Sequence, residues 1–457
     1  MTDSIIQYLH LHRDTLLNRL NDFLSIQSVS TDPAHKHDVK KAGQYVADYL
    51  KDIGFEQVDL METKGHPLVY GEWMGAGEGA PTALLYGHYD VQPADPYELW
   101  DSEPFKPEIR DGRLYARGSS DDKGQVFMHL AVFEAYMKTI GELPINVKVC
   151  IEGEEEIGSE NLYEVLEEKK NQFAADFCVI SDSGMVASGQ PTILYGLKGF
   201  TGLEFTVTGP SSDLHSGMYG GAVRNPAMAM AHLLSSLKNE DEVVTVDGFY
   251  DGIEELSEEE RELIKNVPSE DFKASTGVKE TTPEKGFTAK EHTMARPTLE
   301  VNGLYSGYQG EGTKTIIPST ATAKLTCRLV PGQEPDHVQS LLVDHLEKHV
   351  PAGVTLDIKK EPLSARAYKV DPEHPLIQKA AESYTQAFGK ETVFVRMGGS
   401  IPVVELIDQL YQIPVVLLGF GTPEDRLHSP NESFPIESFD KGMETLVYYW
   451  DNVKESK

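Results

Sequence analysis

Leu84-Leu85-Tyr86-Gly87-His88-Tyr89-Asp90 decides how this chain is read. The apolar start predicts a buried strand, and His88 and Asp90 stand two apart at its end. On an extended backbone, residues i and i+2 point to the same side. A carboxylate beside an imidazole is how a metal-ligating histidine is fixed in one tautomer. A strand that merely ends in a polar turn fits these seven residues equally well, so the rest of the chain has to decide.

Four further clusters follow, and three of them lie beyond apolar runs of their own. They are Gly118-Ser119-Ser120-Asp121-Asp122-Lys123-Gly124, Glu152-Gly153-Glu154-Glu155-Glu156-Ile157-Gly158-Ser159, Ser181-Asp182-Ser183 and His428-Ser429-Pro430-Asn431-Glu432. Taken singly, Asp121 or Asp122 fits a helix N-cap, and the Glu154–Glu156 run fits a solvated loop. Adjacent carboxylates behind a buried strand repel one another unless a cation or proton offsets them.

Candidate strands over 82–87, 145–151 and 176–181 alternate with helical stretches over 123–138 and 160–170. That order predicts an α/β domain with a mainly parallel sheet. Asp111-Gly112 reads as a hairpin turn. After about Leu197 the pattern changes. A half-exposed strand over 200–208 leads to helices over 222–237 and 254–266, then to a polar surface excursion over 267–295. Strands over 297–302, 315–330 and 354–360, with a helix over 335–349, predict two helices on a four-stranded antiparallel sheet. Alternation returns near Asp371, with strands over 392–395 and 413–418 and a final helix over 437–452. The domain assignment is therefore 1–196 with 368–457, interrupted by an inserted α+β domain over 197–367.

The 457 residues carry 73 acidic and 41 basic side chains, a net charge of −32, which argues against nucleic acid or an anionic membrane as partner. Cys150, Cys178 and Cys327 are sparse, odd in number and set in apolar runs, as buried reduced thiols would be. The N-terminal 24 residues predict an amphipathic helix rather than a signal peptide, and no run reaches the length of a membrane span. These features predict a cytoplasmic protein. His345 and His349 look like part of a solvated helix face, and Gly75-x-Gly77-x-Gly79 lacks the following helix a dinucleotide fold needs.

Ligands at the carboxyl ends of several strands converge on one crevice in an open α/β sheet. Two histidines and several carboxylates without a thiolate suit Zn²⁺ or Mn²⁺, and the carboxylates suffice for two ions. Two such ions can share a water, lower its pKa and clamp an oxyanion.

Gly87-His88-Tyr89-Asp90-Val91-Gln92-Pro93, Trp100-Asp101-Ser102-Glu103-Pro104-Phe105, Arg117-Gly118-Ser119-Ser120-Asp121-Asp122-Lys123-Gly124 and Glu152-Gly153-x-Glu155-Glu156-x-Gly158-Ser159 together carry a resemblance. So do Ser181-Asp182, Asp213-Leu214-His215-Ser216-Gly217, Arg328-Leu329-Val330-Pro331, Gly398-Gly399-Ser400-Ile401-Pro402 and His428-Ser429-x-Asn431-Glu432. From about residue 80 to 440 the chain resembles the M20 family of di-zinc peptidases, and most closely its non-specific dipeptidase and carnosinase branch.

The resemblance implies an α/β metal-binding sheet domain with an inserted lid and dimerisation domain, and a homodimer. It implies that Asp121 bridges two ions, Zn or Mn, with His88 and Asp182 on one and Glu156 and His428 on the other. Asp90 would orient His88, and Glu155 would be the general base. Glu154 then falls at a variable position and should be solvated. A cis peptide after Asp121 belongs to the same pattern. His215 is implied to stabilise the oxyanion in a partner subunit, and Arg328 with Gly398, Gly399 and Ser400 to hold the substrate carboxylate. Met397 departs from the family, which often has an acid there facing the substrate amine. The implied activity is hydrolysis of dipeptides with a free C-terminal carboxylate, by a metal-bridged hydroxide with Glu155 as base. The alternatives are an amidohydrolase for N-acyl amino acids or N-succinyl-diaminopimelate, and a catalytically silent peptide-binding protein.

Overall fold

The computed structural model describes residues 2–268 and 271–455. It separates into two compact units, one of Met1–Tyr195, Val370–Val395 and Pro402–Lys457, the other of Gly196–Lys369 and Arg396–Ile401.

In the first unit a sheet runs in the order Gln57–Met61, Leu68–Trp73, Asn146–Glu152, Thr82–His88, Phe177–Ile180, Val415–Leu417 and Thr192–Leu197. The four strands from Asn146–Glu152 to Val415–Leu417 are parallel. The pairs on either side of them are antiparallel. The sheet is thus parallel at its centre and mixed at its margins, where the sequence suggested mainly parallel pairing. Asn146–Glu152 is buried at every position. Thr82–His88 is buried at all but its first residue. The second matches its near-continuous apolar run, as expected for a strand covered on both faces; the first also buries Lys148, whose Nζ donates to the Ala174 carbonyl at 2.7 Å. Cys150, Cys178 and Cys327 are buried free thiols.

The helix Lys123–Thr139 is buried from Lys123 to Tyr136 on all its sides, not along one stripe. Helices Thr2–Leu11, Arg13–Leu24, Lys36–Ile53 and Ile436–Asn452 all pack on it. A helix enclosed in this way carries apolar residues all round rather than an amphipathic pattern. The amphipathic N-terminal stretch is two helices, Thr2–Leu11 and Arg13–Leu24, not one. The Asp111-Gly112 turn has positive φ at both residues (48° and 76°) between short antiparallel strands.

The second unit holds a four-stranded antiparallel sheet in the order Thr298–Ser306, Thr320–Leu329, Gly199–Thr208, Thr355–Lys360. Helices Pro226–Ser235 and Pro335–His349 cover it, with Phe205, Leu233, Leu325, Leu342 and Leu346 in the shared core. The first helix starts four residues later than the sequence pattern suggested, because Asn225 caps it and Pro226 occupies its first turn.

The stretch 267–295 is not a simple surface excursion. Ala289–Ala295 is a helix with a capping box from Thr288 and Glu291. Glu284 and Glu291 are buried against Arg296 and Arg261. His345 is also buried rather than solvated, with Nε2 3.0 Å from Ser236 Oγ and its ring stacked on His349.

Candidate metal centre

His88 is the last residue of its strand, and Asp182 lies two residues past Phe177–Ile180. Glu155 and Glu156 form a single 3₁₀ turn just beyond Asn146–Glu152. Asp121 and Asp122 immediately precede the buried helix Lys123–Thr139, and their connecting peptide bond is cis. Gly118 has φ +82° in the loop that delivers Asp121. At Gly124 a Cβ would sit 1.9 Å from the Ser119 carbonyl oxygen, so that loop folds back only over glycine. His428 lies in the segment between Val415–Leu417 and the C-terminal helix.

These elements bring the side chains together around one carboxylate. Asp121 Oδ1 is 3.1 Å from His88 Nε2, and Asp121 Oδ2 is 3.0 Å from His428 Nε2. Two triads result, His88–Asp121–Asp182 and Asp121–Glu156–His428, each with its ligand atoms within 4.8 Å of one another. Asp182 Oδ2 is 3.8 Å from His88 Nε2, and Glu156 Oε2 is 3.3 Å from His428 Nε2. Gln92 Nε2 donates to Glu156 Oε2 at 2.7 Å.

Asp90 stands behind both sets. Its Oδ1 is 3.4 Å from His88 Nδ1, and its two oxygens accept the backbone N–H groups of Glu155 and Glu156 at 3.3 and 3.1 Å. One fully buried carboxylate therefore faces the His88 ring and also anchors the turn carrying two acids.

The electrostatics are those of crowded anions. Burial, with repulsion from Asp122, drives the Asp182 carboxyl well above the ordinary range. Burial also pushes Glu155 to about 7, with Glu156, Asp121 and Asp90 adding to it against the pull of His88. Hydrogen bonds to Asp121 and Glu156 raise His428 to about 10. Asp121 goes the other way: burial would raise it, but His428 and His88 hold it well below the carboxylate range. Among the described residues, the only ion-pair partners of Asp121, Asp182 and Glu156 are imidazoles. A group of carboxylates and imidazoles, mostly buried, that among the described residues has no lysine or arginine as ion-pair partner fits divalent cations.

Glu154 corrects the sequence expectation. It is 4% exposed, and accepts from His66 N at 2.9 Å and from Asn161 Nδ2 at 2.9 and 3.0 Å. It ties the acidic loop to residues 66 and 161, and solvent does not reach it.

His215, Arg328, Gly398, Gly399 and Ser400 all belong to the second unit. There Arg328 Nη1 donates to Ser400 Oγ at 3.2 Å, and Ser400 Oγ donates to the Lys198 carbonyl. His215 is exposed, and its Nδ1 accepts from Gly217 N at 3.0 Å. Met397 offers its carbonyl to Lys198 N. Sequence reasoning gave no role to Gln92 or Glu432, and to Asp122 only that of an N-cap; Asp122 does precede the helix, but its side chain makes no capping hydrogen bond. The one available signal was that Glu432 closes the segment begun by His428.

Residues 84–452 match the sequence model of peptidase family M20/M25/M40. The chain belongs to this family. It is 30% identical over 466 residues to the Cys-Gly metallodipeptidase dug1 of Schizosaccharomyces pombe, covering 98% of this chain and 97% of that one. It is 29% identical to the human Beta-Ala-His dipeptidase, over 98% and 92% of the two chains. Among solved structures, the M20 family metallo-carboxypeptidase Sso-CP2 of Sulfolobus solfataricus superposes with TM-score 0.81 at 33% identity, covering 96% of this chain and 99% of that one. Among the described residues, no helix of this M20 peptidase is long and apolar enough to cross a membrane.

Proposed function

We propose that this M20 peptidase is a metal-dependent dipeptidase that cleaves substrates with a free C-terminal carboxylate. The observation that carries this reading is Asp121, whose two oxygens each face an imidazole and so join two ligand triads at one carboxylate. His88, Asp121 and Asp182 would hold one divalent ion, and Asp121, Glu156 and His428 a second. A pair of Zn²⁺ or Mn²⁺ ions supplies an acidified water and a clamp for the developing oxyanion.

The chain's own residues have the following roles. Asp90 keeps the His88 ring in one orientation, its backbone carbonyl 3.1 Å and its carboxylate 3.4 Å from Nδ1, so that Nε2 points at the site. Glu155 takes the proton of the attacking water and delivers it to the leaving amine. His215 spends Nδ1 as an acceptor, which leaves Nε2 to carry the proton and donate to an oxyanion. Arg328, steadied by Ser400, offers the fork that a substrate carboxylate fits, with Gly398 and Gly399 in the adjoining turn.

The second unit serves as lid and homodimer surface. Its outer strand Thr298–Ser306 is a sheet edge with Leu304 and Tyr305 58% and 57% exposed, the kind of edge a second copy covers. The three buried free thiols fit a reducing compartment such as the cytoplasm.

Similarity to Sso-CP2 favours one second reading, a carboxypeptidase for longer peptides, with the same carboxylate anchor. The test is amino-acid release by chelated protein, with and without Zn²⁺ or Mn²⁺, from free dipeptides, tetrapeptides, an N-blocked dipeptide and N-acetyl amino acids. Metal-restored cleavage of free dipeptides is the expected result. Cleavage only of tetrapeptides moves the protein to the carboxypeptidases, and only of N-acyl compounds to the deacylases.

A further inference from the structure

We propose that Glu432 is a positioning residue for the ligand pair Asp121 and His428, because its carboxylate clamps the loop carrying one to the segment carrying the other. The proposal rests on the metal-centre reading above and adds what fixes its geometry.

Glu432 is fully buried. It accepts from Arg117 Nη1 at 2.7 Å and from the backbone N–H groups of Gly118, Ser120 and Asp121 at 3.0, 3.1 and 3.2 Å. Both oxygens are engaged, one by Arg117 and Gly118 and the other by Ser120 and Asp121. Arg117 is itself buried, and its Nη2 donates to the Pro93 carbonyl at 3.0 Å.

A second grip lies three residues before His428. Asp425 is buried, accepts from Ser120 Oγ at 2.6 Å and from Thr422 N at 2.8 Å, and pairs with Arg113. Asn431 adds two more ties, accepting from Asp101 N at 2.8 Å and donating to the Leu99 carbonyl at 3.0 Å. His428 is therefore suspended between two buried carboxylates that both hold residues 117–121.

His428 cannot hold its own place. Its side chain is 56% exposed, and the polar partners of its Nε2 are the ligand carboxylates themselves. Strand pairing of Ser433–Pro435 with Arg113–Tyr115 anchors the chain beyond Glu432, and the two buried carboxylates tie the stretch that carries His428 to the loop that carries Asp121, 3.0 Å away. A buried arginine–carboxylate pair is weak evidence of a stability role, since apolar packing does as well. A carboxylate spread over four donors on one loop instead defines that loop's position. Partners behind the ligands of a metal site are typically worth 10- to 100-fold in affinity.

The experiment measures Zn²⁺ affinity by competition with a chromophoric chelator, together with kcat and KM for a free dipeptide. It compares the full-length wild type with Glu432→Gln, Ser120→Ala and Glu284→Gln. Ser120→Ala removes only the hydrogen bond to Asp425, and Glu284→Gln disrupts a buried arginine–carboxylate pair in the other unit. Circular dichroism and melting of the metal-free proteins control for folding.

Glu432→Gln is expected to bind Zn²⁺ about 10- to 100-fold more weakly, with kcat falling more than KM rises. Ser120→Ala should lose a smaller factor, and Glu284→Gln none. If both site variants bind Zn²⁺ within twofold of wild type, the clamp is merely structural and the proposal is overturned, whatever their melting temperatures. Should Glu432→Gln fail to fold, Glu432→Asp, whose shorter carboxylate cannot reach all four donors, decides by the same criterion. A wild type that takes up no Zn²⁺ overturns the metal-centre reading itself, an outcome distinct from failure of the clamp.

Discussion

Replacing Glu155 with glutamine should make the metal-free protein more stable and nearly abolish turnover. The substitution keeps shape and leaves in place the backbone N–H that Asp90 accepts. It removes one negative charge from a buried site that also holds Glu156, Asp121 and Asp90. A carboxyl raised from 4.5 to about 7 carries roughly 3 kcal/mol of unfavourable interaction in its ionised form. The sign follows from proton binding. Between pH 4.5 and 7 the folded state holds a proton that the unfolded chain has released, so wild-type stability falls as pH rises through that window. Glutamine has nothing to ionise, so metal-free Glu155→Gln should match the wild type near pH 4 and exceed it by up to about 3 kcal/mol at pH 8. Urea unfolding of the chelated proteins at the two pH values measures this. With metal restored, loss of a general base should lower kcat by about 10²- to 10⁴-fold while the protein still binds its ions. Turnover within tenfold of wild type, or an advantage over the wild type no larger at pH 8 than at pH 4, would refute the reasoning.

Glu154→Ala strands the His66 N–H and the Asn161 amide in a buried loop, so urea unfolding should show a loss of about 3 kcal/mol; no loss would mean that water satisfies these groups. Burial lowers Lys198 to about 7, with Arg396, Arg328 and Arg296 adding repulsion. Between pH 7 and the lysine's ordinary 10.5 the unfolded chain binds the proton and the folded one does not, so the penalty lifts as pH rises. Relative to Lys198→Met, the wild type should gain on the order of 4 kcal/mol over that window, visible as converging or crossing melting temperatures; parallel pH profiles would contradict it. Arg328→Lys replaces a planar fork with a point charge, so KM for free dipeptides should rise at least about tenfold with kcat less affected, and C-terminally amidated peptides should not distinguish the two proteins.

How much was legible in the sequence depended on how local the cause was. His88, Asp182 and the Glu155–Glu156 turn each follow an apolar run that is itself the buried strand, so strand and polar end could be read together. The helix Pro335–His349 begins at its proline and spans the residues its periodicity suggested. What escaped depends on distant partners. Glu154 resembles its two acidic neighbours until His66 and Asn161 are folded against it. The helix Lys123–Thr139 is enclosed by four others, and nothing in its own period counts them. Glu432 acts on residues more than 300 positions away. Residues 267–295 read as surface because they are charged, yet Glu284 and Glu291 are buried by arginines at 296 and 261. The return of 396–401 to the second unit likewise has no mark in composition.

The most direct test of the central claim is dipeptide hydrolysis followed against metal bound per chain, as Zn²⁺ or Mn²⁺ is returned to chelated protein. Two ligand triads sharing Asp121 predict an inactive metal-free protein and full activity only as a second ion per chain is taken up. Undiminished hydrolysis by protein shown to be free of metal would contradict the account.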